Sequence, residues 1–411
     1  MSNSSSRLGS FKPVSKWMLN KAFAYFIIHF RTPAYMATIS RIFRTFSTSA
    51  SKSPAKSISD DLYNERNLKR VVENFKKLSE SHLFRKQANV YDKTVRRLAS
   101  AKKHKWVEEI LEDQKQYNDI TKEGFAVRLI SLYGKSGMFD HAHKVFDEMP
   151  DRNCPQTVKC FNTLLGACVN AKKFDKVDEL FRELPEKISV KPDVVSYNTV
   201  IKACCEMGSF ELARSVFDEI GKSGLEPDLI SFNTLLIGFY GNGRFVYGEE
   251  VWAKMMDTSV LPDIRSYNAK LVGLVSEKKV DEAVELFGQL GSKNVKADVF
   301  GYNAIINGCC NNGDLEGAKK WYAKLVESDC APNKATFATL IRFACKVSDF
   351  DWAVELFKQT FEHKGLVDPN VMQLVIDGLV KESKTDEAKK LVEIGNSSKF
   401  RRYSLIMPAD E

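Results

Sequence analysis

The sequence lacks any long run of apolar residues. A helix that spans a membrane needs about 20 consecutive, mostly apolar residues. The apolar stretch at residues 22–30 (AFAYFIIHF) is only nine residues long. We therefore expect no membrane contact for this chain.

Cysteine and histidine are scarce, with nine cysteines and six histidines among 411 residues. No pair of cysteines has C-x-x-C spacing, and the histidines show no ligand spacing, which argues against a disulfide scaffold, a zinc knuckle and thioredoxin-like redox chemistry. We expect no bound metal and no cofactor. Six cysteines recur at two adjacent positions late in a repeated helix, where small buried hydrophobic side chains are expected: Cys168, Cys204, Cys205, Cys309, Cys310 and Cys345.

Acidic residues are absent from the first 59 residues, which contain nine Lys and Arg and many serines. This composition is typical of an organelle transit peptide. The string IFRTFSTS, with Arg44 two residues before Phe46, resembles the processing site of plant mitochondrial precursors. We predict a mitochondrial transit peptide at residues 1–46 and a matrix location, with Met36 as an alternative start. The other interpretation is a disordered basic tail without a targeting role.

The remainder of the chain repeats itself every 35 residues, and internal repetition of this length is the signature of a helical solenoid. Residues 47–87 are predicted as a linker and basic helical arm, residues 88–122 as a degenerate repeat, and residues 400–411 as a tail. The units, numbered here from repeat 1 to the partial repeat 8, are residues 123–157, 158–193, 194–228, 229–263, 264–298, 299–333, 334–368 and 369–399.

Each unit has the pattern of two amphipathic helices. In repeat 3, Tyr197, Val200, Ile201 and Cys204 follow the i, i+3, i+4, i+7 spacing of one helical face, and Gly208 then ends the helix. A second helix follows. One such hairpin cannot bury its apolar faces alone, so the units must stack. The prediction is an all-α fold: a right-handed α-solenoid of about eight or nine helix-turn-helix repeats with a concave inner surface.

The period of 35, the aromatic-Asn pair near the start of several units and the Pro-Asp or Pro-Asn ending resemble pentatricopeptide repeat proteins of the P class. The strings FDEMPDRNC, SYNTVIK and EEVWAKM are similar to those of short plant mitochondrial members, which are found in the small subunit of the mitochondrial ribosome. The resemblance covers about residues 88–399. It implies a chain that binds single-stranded or ribosomal RNA, one base per repeat.

In this family, the fifth and the last residue of a unit select the base, and the second residue packs on the bases. The resemblance therefore implies an exposed ladder of amides and carboxylates that prefers a pyrimidine-rich strand. The pairs are Asn162 with Asp193, Asn198 with Asp228, Asn233 with Asp263, Asn268 with Asp298, and Asn303 with Asn333. The alternative is that the acids only cap helices. The flanking pairs, Val127 with Thr157 and Ala338 with Asp368, fit the family code poorly.

A basic segment stands apart from the repeats. Residues 66–105 contain 13 basic and three acidic residues, a net charge of +10, whereas residues 158–368 contain 26 basic and 30 acidic residues. A charge run is often only a solvated face, but this density on a slightly acidic body indicates phosphate binding. The predicted phosphate-binding residues are Arg85, Lys86, Lys93, Arg96, Arg97, Lys102, Lys103 and Lys105.

No motif of a nuclease, deaminase, phosphate-binding loop or hydrolase appears, so we expect no enzyme. The main hypothesis is a monomer within a ribonucleoprotein, a mitoribosome-associated factor that supports translation, with small-subunit ribosomal proteins as possible partners. Two alternatives remain open. One is a free factor that stabilises, processes or activates translation of a mitochondrial transcript, and the other is a protein-binding scaffold.

Overall fold

The computed structural model describes residues 62–363, 367–397 and 403–408. These residues are almost entirely helical and include no β-strand. The predicted all-α array of helix-turn-helix repeats is therefore confirmed. The predicted transit peptide at residues 1–46 lies outside the described residues.

Two compact units make up the chain, residues 1–90 and 91–411, and each is described by itself. The helices are α1 Leu68–Ser79, α2 His82–Arg85, α3 Ala88–Ser100, α4 His104–Glu112, α5 Glu123–Lys135, α6 Phe139–Asp147, α7 Val158–Asn170, α8 Asp175–Lys187, α9 Val194–Glu206, α10 Phe210–Lys222, α11 Leu229–Gly241, α12 Phe245–Met256, α13 Ile264–Ser276, α14 Val280–Gly288, α15 Val299–Asn311, α16 Leu315–Glu327, α17 Lys334–Lys346, α18 Phe350–Glu362, α19 Pro369–Lys381 and α20 Thr385–Ser397. Short 3-10 helices lie at Asp113–Gln116, Asn118–Thr121, Pro150–Arg152 and Gly291–Lys293.

In the first unit, α1 buries Val71, Val72 and Phe75. The ring of Phe75 packs edge to face against the ring of Phe84 in α2, with centroids 5.3 Å apart. The side chain of Asn67 caps α1 by accepting hydrogen bonds from the backbone. The apolar stripe of this segment therefore forms a small core, while most of its basic residues face solvent.

The first helix of a repeat begins and ends with recognisable signals. In repeat 3, Asp193 accepts a hydrogen bond from the backbone N–H of Ser196, and the Ser196 hydroxyl accepts one from the N–H of Asp193, which is a reciprocal capping box. The helix ends before Gly208, whose φ is +75°. The left-handed conformation at Gly208 turns the chain back at low steric cost, because glycine has no Cβ.

Consecutive repeats are joined mainly through their first helices. The first helix of each of repeats 1 to 7 packs against the first helix of the following repeat, and each second helix packs against its own first helix. Six alanines of the second helices are completely buried at this contact: Ala142, Ala213, Ala283, Ala318, Ala353 and Ala388. Their small side chains let the paired helices approach closely.

Aromatic side chains connect the second helices of repeats 2 to 6 to the next repeat. Phe217 meets Phe232 edge to face, with ring centroids 5.3 Å apart, and Trp252 meets Tyr267 at 5.4 Å. Such pairs contribute about 0.5–1.5 kcal/mol beyond the area that they bury. The other pairs of this kind are Phe181 with Tyr197, Phe287 with Tyr302, and Tyr322 with Phe337.

The cysteines belong to this core. All nine are free thiols, and seven of them are buried. Burial raises the pKa of the Cys168, Cys205 and Cys310 thiols to about 12. These side chains therefore act as small hydrophobic groups, as the sequence predicts. Among the described helices, none has the length and apolar character needed to cross a bilayer.

Candidate nucleic-acid interface

Five asparagine side chains make the same hydrogen bond in five successive repeats. In each case the amide nitrogen at the fifth residue donates to an oxygen of the last residue of the same repeat. We call each of these pairs an amide rung. The Nδ2 to Oδ1 distances are 2.9 Å for Asn162 to Asp193, 3.2 Å for Asn198 to Asp228, 3.0 Å for Asn233 to Asp263, 3.0 Å for Asn268 to Asp298 and 3.3 Å for Asn303 to Asn333.

A hydroxyl group from the next repeat holds three of these amides from the other side. The third residue of that repeat donates to the amide oxygen: Ser196 Oγ lies 2.5 Å from Asn162 Oδ1, Ser266 Oγ lies 2.6 Å from Asn233 Oδ1, and Thr336 Oγ1 lies 2.7 Å from Asn303 Oδ1. These hydroxyls fix which side of the amide presents N–H and which presents C=O.

Two amides lack this second bond. The Oδ1 atoms of Asn198 and Asn268 are buried without a hydrogen-bond partner. For Asn268 the cause is Gly301, which stands where other repeats have a hydroxyl side chain. For Asn198 the neighbouring Ser231 hydroxyl donates instead to Asp228 Oδ1, at 2.9 Å.

The acidic residues of the rungs also cap helices. Asp263 Oδ1 accepts hydrogen bonds from the backbone N–H groups of Arg265 and Ser266, each at 3.0 Å. Burial raises the pKa of the Asp263 carboxyl, but the hydrogen bonds from Ser266 and Asn233 outweigh it and hold the pKa below its ordinary value. Capping and the amide rung are thus two uses of one carboxylate, rather than alternatives.

The rungs are less open than the exposed ladder that the sequence led us to expect. Asn198 is only 7% exposed and Asn233 only 6%, while Asn162, Asn268 and Asn303 are partly buried. The physical reason is the close packing of successive first helices, which places each amide between two repeats. Three of the amides, Asn162, Asn233 and Asn303, also link their repeat to the next one.

Exposed apolar side chains lie beside the rungs, at the second residue of the first helix. Val195 is 53% exposed, Ile230 61% and Phe300 65%. The equivalent residues of repeats 2 and 5, Lys159 and Arg265, are exposed and basic. We call the surface formed by these five side chains the first-helix face. Exposed apolar side chains of this kind suit packing against bases, and the basic side chains suit contact with phosphates.

The flanking repeats have no amide rung. In repeat 1 the fifth residue is Val127, and Thr157 donates to Glu123 Oε1 at 2.5 Å instead. In repeat 7 the fifth residue is Ala338, which lines an open pocket of about 590 Å³. The pocket is lined by Asn333, Lys334, Ala335, Ala338, Arg342 and Asp368.

The predicted phosphate-binding residues lie in both compact units. In the first unit, Arg85 donates to the backbone oxygens of Ser79 and Glu80, at 2.6 and 3.0 Å, and Lys86 is exposed. The others lie on α3, on the turn that follows it and at the start of α4, and all of these except the partly buried Arg97 are exposed: Lys93, Arg96, Arg97, Lys102, Lys103 and Lys105.

Local contacts hold some of these basic side chains in place. Arg96 and Lys135 both pair with Asp92, at 2.5 and 2.8 Å. Lys103 lies over the ring of Trp106, 5.4 Å from its centroid. The described residues contain no group of three or more His, Cys, Asp or Glu side chains that could hold a metal ion.

Sequence reasoning missed the hydroxyl groups of the rungs. The signal was present, because Ser196, Ser231, Ser266 and Thr336 recur two residues before the fifth position of their units. In the sequence, a serine before an aromatic-Asn pair indicates only a helix cap. The contact of the serine hydroxyl with the preceding repeat forms only when the repeats are stacked.

Known proteins match this chain across the repeats. A family model described as "PPR repeat family" matches residues 128–169, 156–205, 192–241 and 297–346. A second, described as "PPR repeat", matches residues 265–295.

Two Arabidopsis thaliana proteins are similar over 178 residues: "Small ribosomal subunit protein mS78 (rPPR3a)" at 57% identity and "Small ribosomal subunit protein mS79 (rPPR3b)" at 55%. Each match covers 43% of this chain and 45% of the relative, so the matched part spans less than half the length of these relatives. A pentatricopeptide repeat-containing protein of the same plant, named as mitochondrial, is 38% identical over 134 residues, 32% of each chain.

Among solved structures, the crystal structure of the maize pentatricopeptide repeat protein PPR10 has 18% sequence identity and a TM-score of 0.45, with 86% of this chain and 60% of that chain covered. The residues that the two family models match show that this chain contains pentatricopeptide repeats.

Proposed function

We propose that this chain is a non-enzymatic RNA-binding protein of the mitochondrial matrix, present as a monomer in the small subunit of the mitochondrial ribosome, where it supports translation. Its RNA partner is ribosomal RNA with single-stranded stretches, and its protein partners are neighbouring small-subunit proteins. The two relatives named as small ribosomal subunit proteins support this assignment.

One observation carries the RNA-binding part of the proposal. In repeats 3, 4 and 6 an exposed apolar side chain, Val195, Ile230 or Phe300, lies at the second residue of a helix whose fifth residue forms an amide rung. A stacking surface next to paired hydrogen-bonding groups, present in several repeats at the same two positions, suits a single strand that is bound one base per repeat.

The state of the rungs favours a ribosomal component over a free reader of sequence. The amides are already bonded within the protein, and repeats 1 and 7 lack a rung, so few positions remain for base selection. The net charge of +10 over residues 66–105 suits the phosphates of folded RNA, which is recognised mainly by shape. The five amide rungs then select bases only weakly, as a preference for pyrimidines.

Sedimentation tests the ribosomal assignment. A tagged copy of the full chain, expressed in plant mitochondria, should migrate with the small ribosomal subunit and stay with it when low magnesium separates the subunits. Migration as a light, RNase-sensitive particle would instead identify a free RNA factor. If the protein migrates in a particle that contains no RNA, the remaining hypothesis is a protein-binding scaffold.

A pair of matched variants tests the first-helix face. Phe300→Ala should weaken binding to single-stranded RNA about fivefold or more, because a base–aromatic stack is worth about 1–3 kcal/mol. Ile230→Ala should also weaken it, by a smaller factor, because an aliphatic side chain contributes only the apolar area that it buries against a base. Both side chains are mostly exposed, so the substitutions should leave folding intact. The dissociation constant, measured by fluorescence anisotropy, gives the result.

The control for this test is Val246→Ala, since Val246 is 70% exposed in the same repeat as Ile230 but lies on the second helix. It should not change RNA affinity. Equal effects of Ile230→Ala and Val246→Ala would contradict the assignment of the first-helix face.

A further inference from the structure

The C-terminal segment, residues 403–408, lies on repeat 8 and forms a set of paired hydrogen bonds there. Gln373 is the fifth residue of repeat 8, the position that holds an amide rung in repeats 2 to 6. Its Nε2 donates to the backbone oxygen of Ile406 at 2.8 Å, and its Oε1 accepts from the backbone N–H of Ile406 at 3.2 Å. One backbone residue therefore satisfies both sides of this amide.

The spacing along the chain shows what Ile406 replaces. Ile406 lies 33 residues after Gln373. The same separation of 33 joins Asn233 to the hydroxyl of Ser266 and Asn303 to that of Thr336. The N–H of Ile406 thus takes the place of the third-residue hydroxyl of a following repeat, and its carbonyl takes the place of the carboxylate at the end of a rung.

A second pair of bonds fixes the neighbouring residue. Asn396, on the second helix of repeat 8, donates from Nδ2 to the backbone oxygen of Leu405 at 2.9 Å. Its Oδ1 accepts from the N–H of Leu405 at 2.8 Å. The segment is consequently held by both helices of the last repeat, in the register that a ninth repeat would have.

Apolar contacts anchor the same segment. Tyr403 is 2% exposed and Leu405 4%, and both belong to the core formed by the last repeats. The ring of Tyr403 meets that of Phe361 edge to face, with centroids 5.7 Å apart. Ile406 itself is 69% exposed, so its contribution is made by its backbone and not by its side chain.

The Gln373 amide has no hydrogen-bonding capacity left for a nucleotide on its donor side. Besides Ile406, its Nε2 donates to Asp377 Oδ1 at 2.7 Å, which uses the second of its two N–H bonds. We infer that residues 403–408 occupy the reading position of repeat 8 and end the path of the RNA strand at repeat 7. This inference rests on the proposed function and adds a boundary to the binding site.

Oligo(U) strands of graded length, bound to the full chain, test this boundary. Gln373→Leu should change the dissociation constant by less than about twofold, while lowering the melting temperature because the bonds to Ile406 are removed. Ile230→Ala should weaken binding in the same assay. A loss of about tenfold for Gln373→Leu, with the tail intact, would overturn the inference.

Freeing the position should extend the site. For the full chain, affinity should stop rising at a certain strand length. For a chain that ends at Ser397, it should continue to rise for one more nucleotide. Ile406→Pro provides a milder version, because it removes the N–H that Gln373 Oε1 accepts and so frees the acceptor side of the amide, and Ile406→Ala, which keeps that donor, is its control. If neither the truncated chain nor Ile406→Pro lengthens the site, the inference fails.

Hydrogen exchange separates this inference from the proposed function. In the free protein the amides of Leu405 and Ile406 should exchange slowly, and Gln373→Leu should speed the exchange of Ile406. Rapid exchange of both amides in the unaltered chain would overturn the seating of the segment, whatever the RNA result. Slow exchange in a chain that binds no oligo(U) would refute the RNA path but leave the seated segment in place.

Discussion

At the scale of single residues, the fifteenth position of each unit decides where the first helix ends. The backbone is left-handed there in all nine units, with φ between 56° and 75°. Four units use glycine and five use lysine or serine: Gly137, Gly208, Gly243 and Gly313, and Lys102, Lys172, Lys278, Ser348 and Ser383. A residue with a Cβ pays about 1–2 kcal/mol for this conformation.

The two kinds of unit predict opposite effects of substitution. Lys278→Gly should raise the free energy of unfolding by about 0.5–1 kcal/mol, after the greater entropy loss of glycine is deducted. Gly208→Ala should lower it by about 1 kcal/mol. Urea denaturation, followed by circular dichroism, measures both. Shifts of the two midpoints in the same direction would contradict this account of the turn.

The sequence predicts this turn only in part. Glycine marks it in repeats 1, 3, 4 and 6, and the helix boundary there follows directly from the residue type. Lysine and serine give no such signal, and at Lys172 or Ser348 the left-handed turn is imposed by the packing of the two helices that it joins. The amide rungs show the same limit, since the family resemblance identifies their residues but not their burial.

At the scale of helices, neighbouring first helices fit by a match of large and small side chains. The twelfth residue of one unit lies against the tenth residue of the next. Tyr240 lies against Gly273, Cys205 against Gly238, and Val275 against Gly308. A Cβ added at Gly273 would overlap the ring of Tyr240, which is buried and donates a hydrogen bond to Glu249 at 2.5 Å.

Gly273→Ala should therefore destabilise the chain by about 1–3 kcal/mol, because the anchored ring cannot move aside. Gly221→Ala is the matched control, since Gly221 lies in a second helix with no atom near the added Cβ. The control should gain up to about 1 kcal/mol from helix propensity. Urea midpoints compare the two variants, and equal losses would show that this contact is not decisive.

At the scale of the whole molecule, charge and repeats are arranged separately. The basic residues are concentrated before residue 106, and the repeats that carry the amide rungs are slightly acidic. Electrostatic attraction to RNA should therefore depend on the basic segment, whereas stacking and hydrogen bonding should depend on the first-helix face. The sequence predicts this division, because it requires only composition along the chain.

Salt dependence measures the contribution of the basic segment. Replacing Arg96, Arg97, Lys102 and Lys103 by glutamine should flatten the plot of log K against log salt, by up to about 0.7 for each phosphate of a single strand that the variant no longer neutralises. A control variant replaces four lysines that lie far along the repeats: Lys187, Lys222, Lys293 and Lys296. Its slope should match that of the unaltered chain. An unchanged slope for the variant that lacks Arg96, Arg97, Lys102 and Lys103 would exclude those four residues from phosphate binding.

The two-helix pattern of the repeats and the residues of the amide rungs could be predicted from one period in the sequence. The closure of repeat 8 could not, because residues 400–411 carry none of the repeat's signature and Ile406 acts through its backbone alone. Packing between distant segments, rather than residue type, determines such contacts. For this reason the end of the array had to be seen in the structure.

The second helices are joined to one another in a different way from the first helices. Second helices of neighbouring repeats meet chiefly through long charged side chains, as in Arg182 with Glu219, Arg214 with Glu250, and Lys254 with Asp218, all at 2.8–2.9 Å. Exposed ion pairs of this kind are weak and adapt to small displacements. We therefore expect a small tilt between neighbouring repeats to cost less at these ion pairs than at the contacts between first helices, where Tyr240 lies against Gly273.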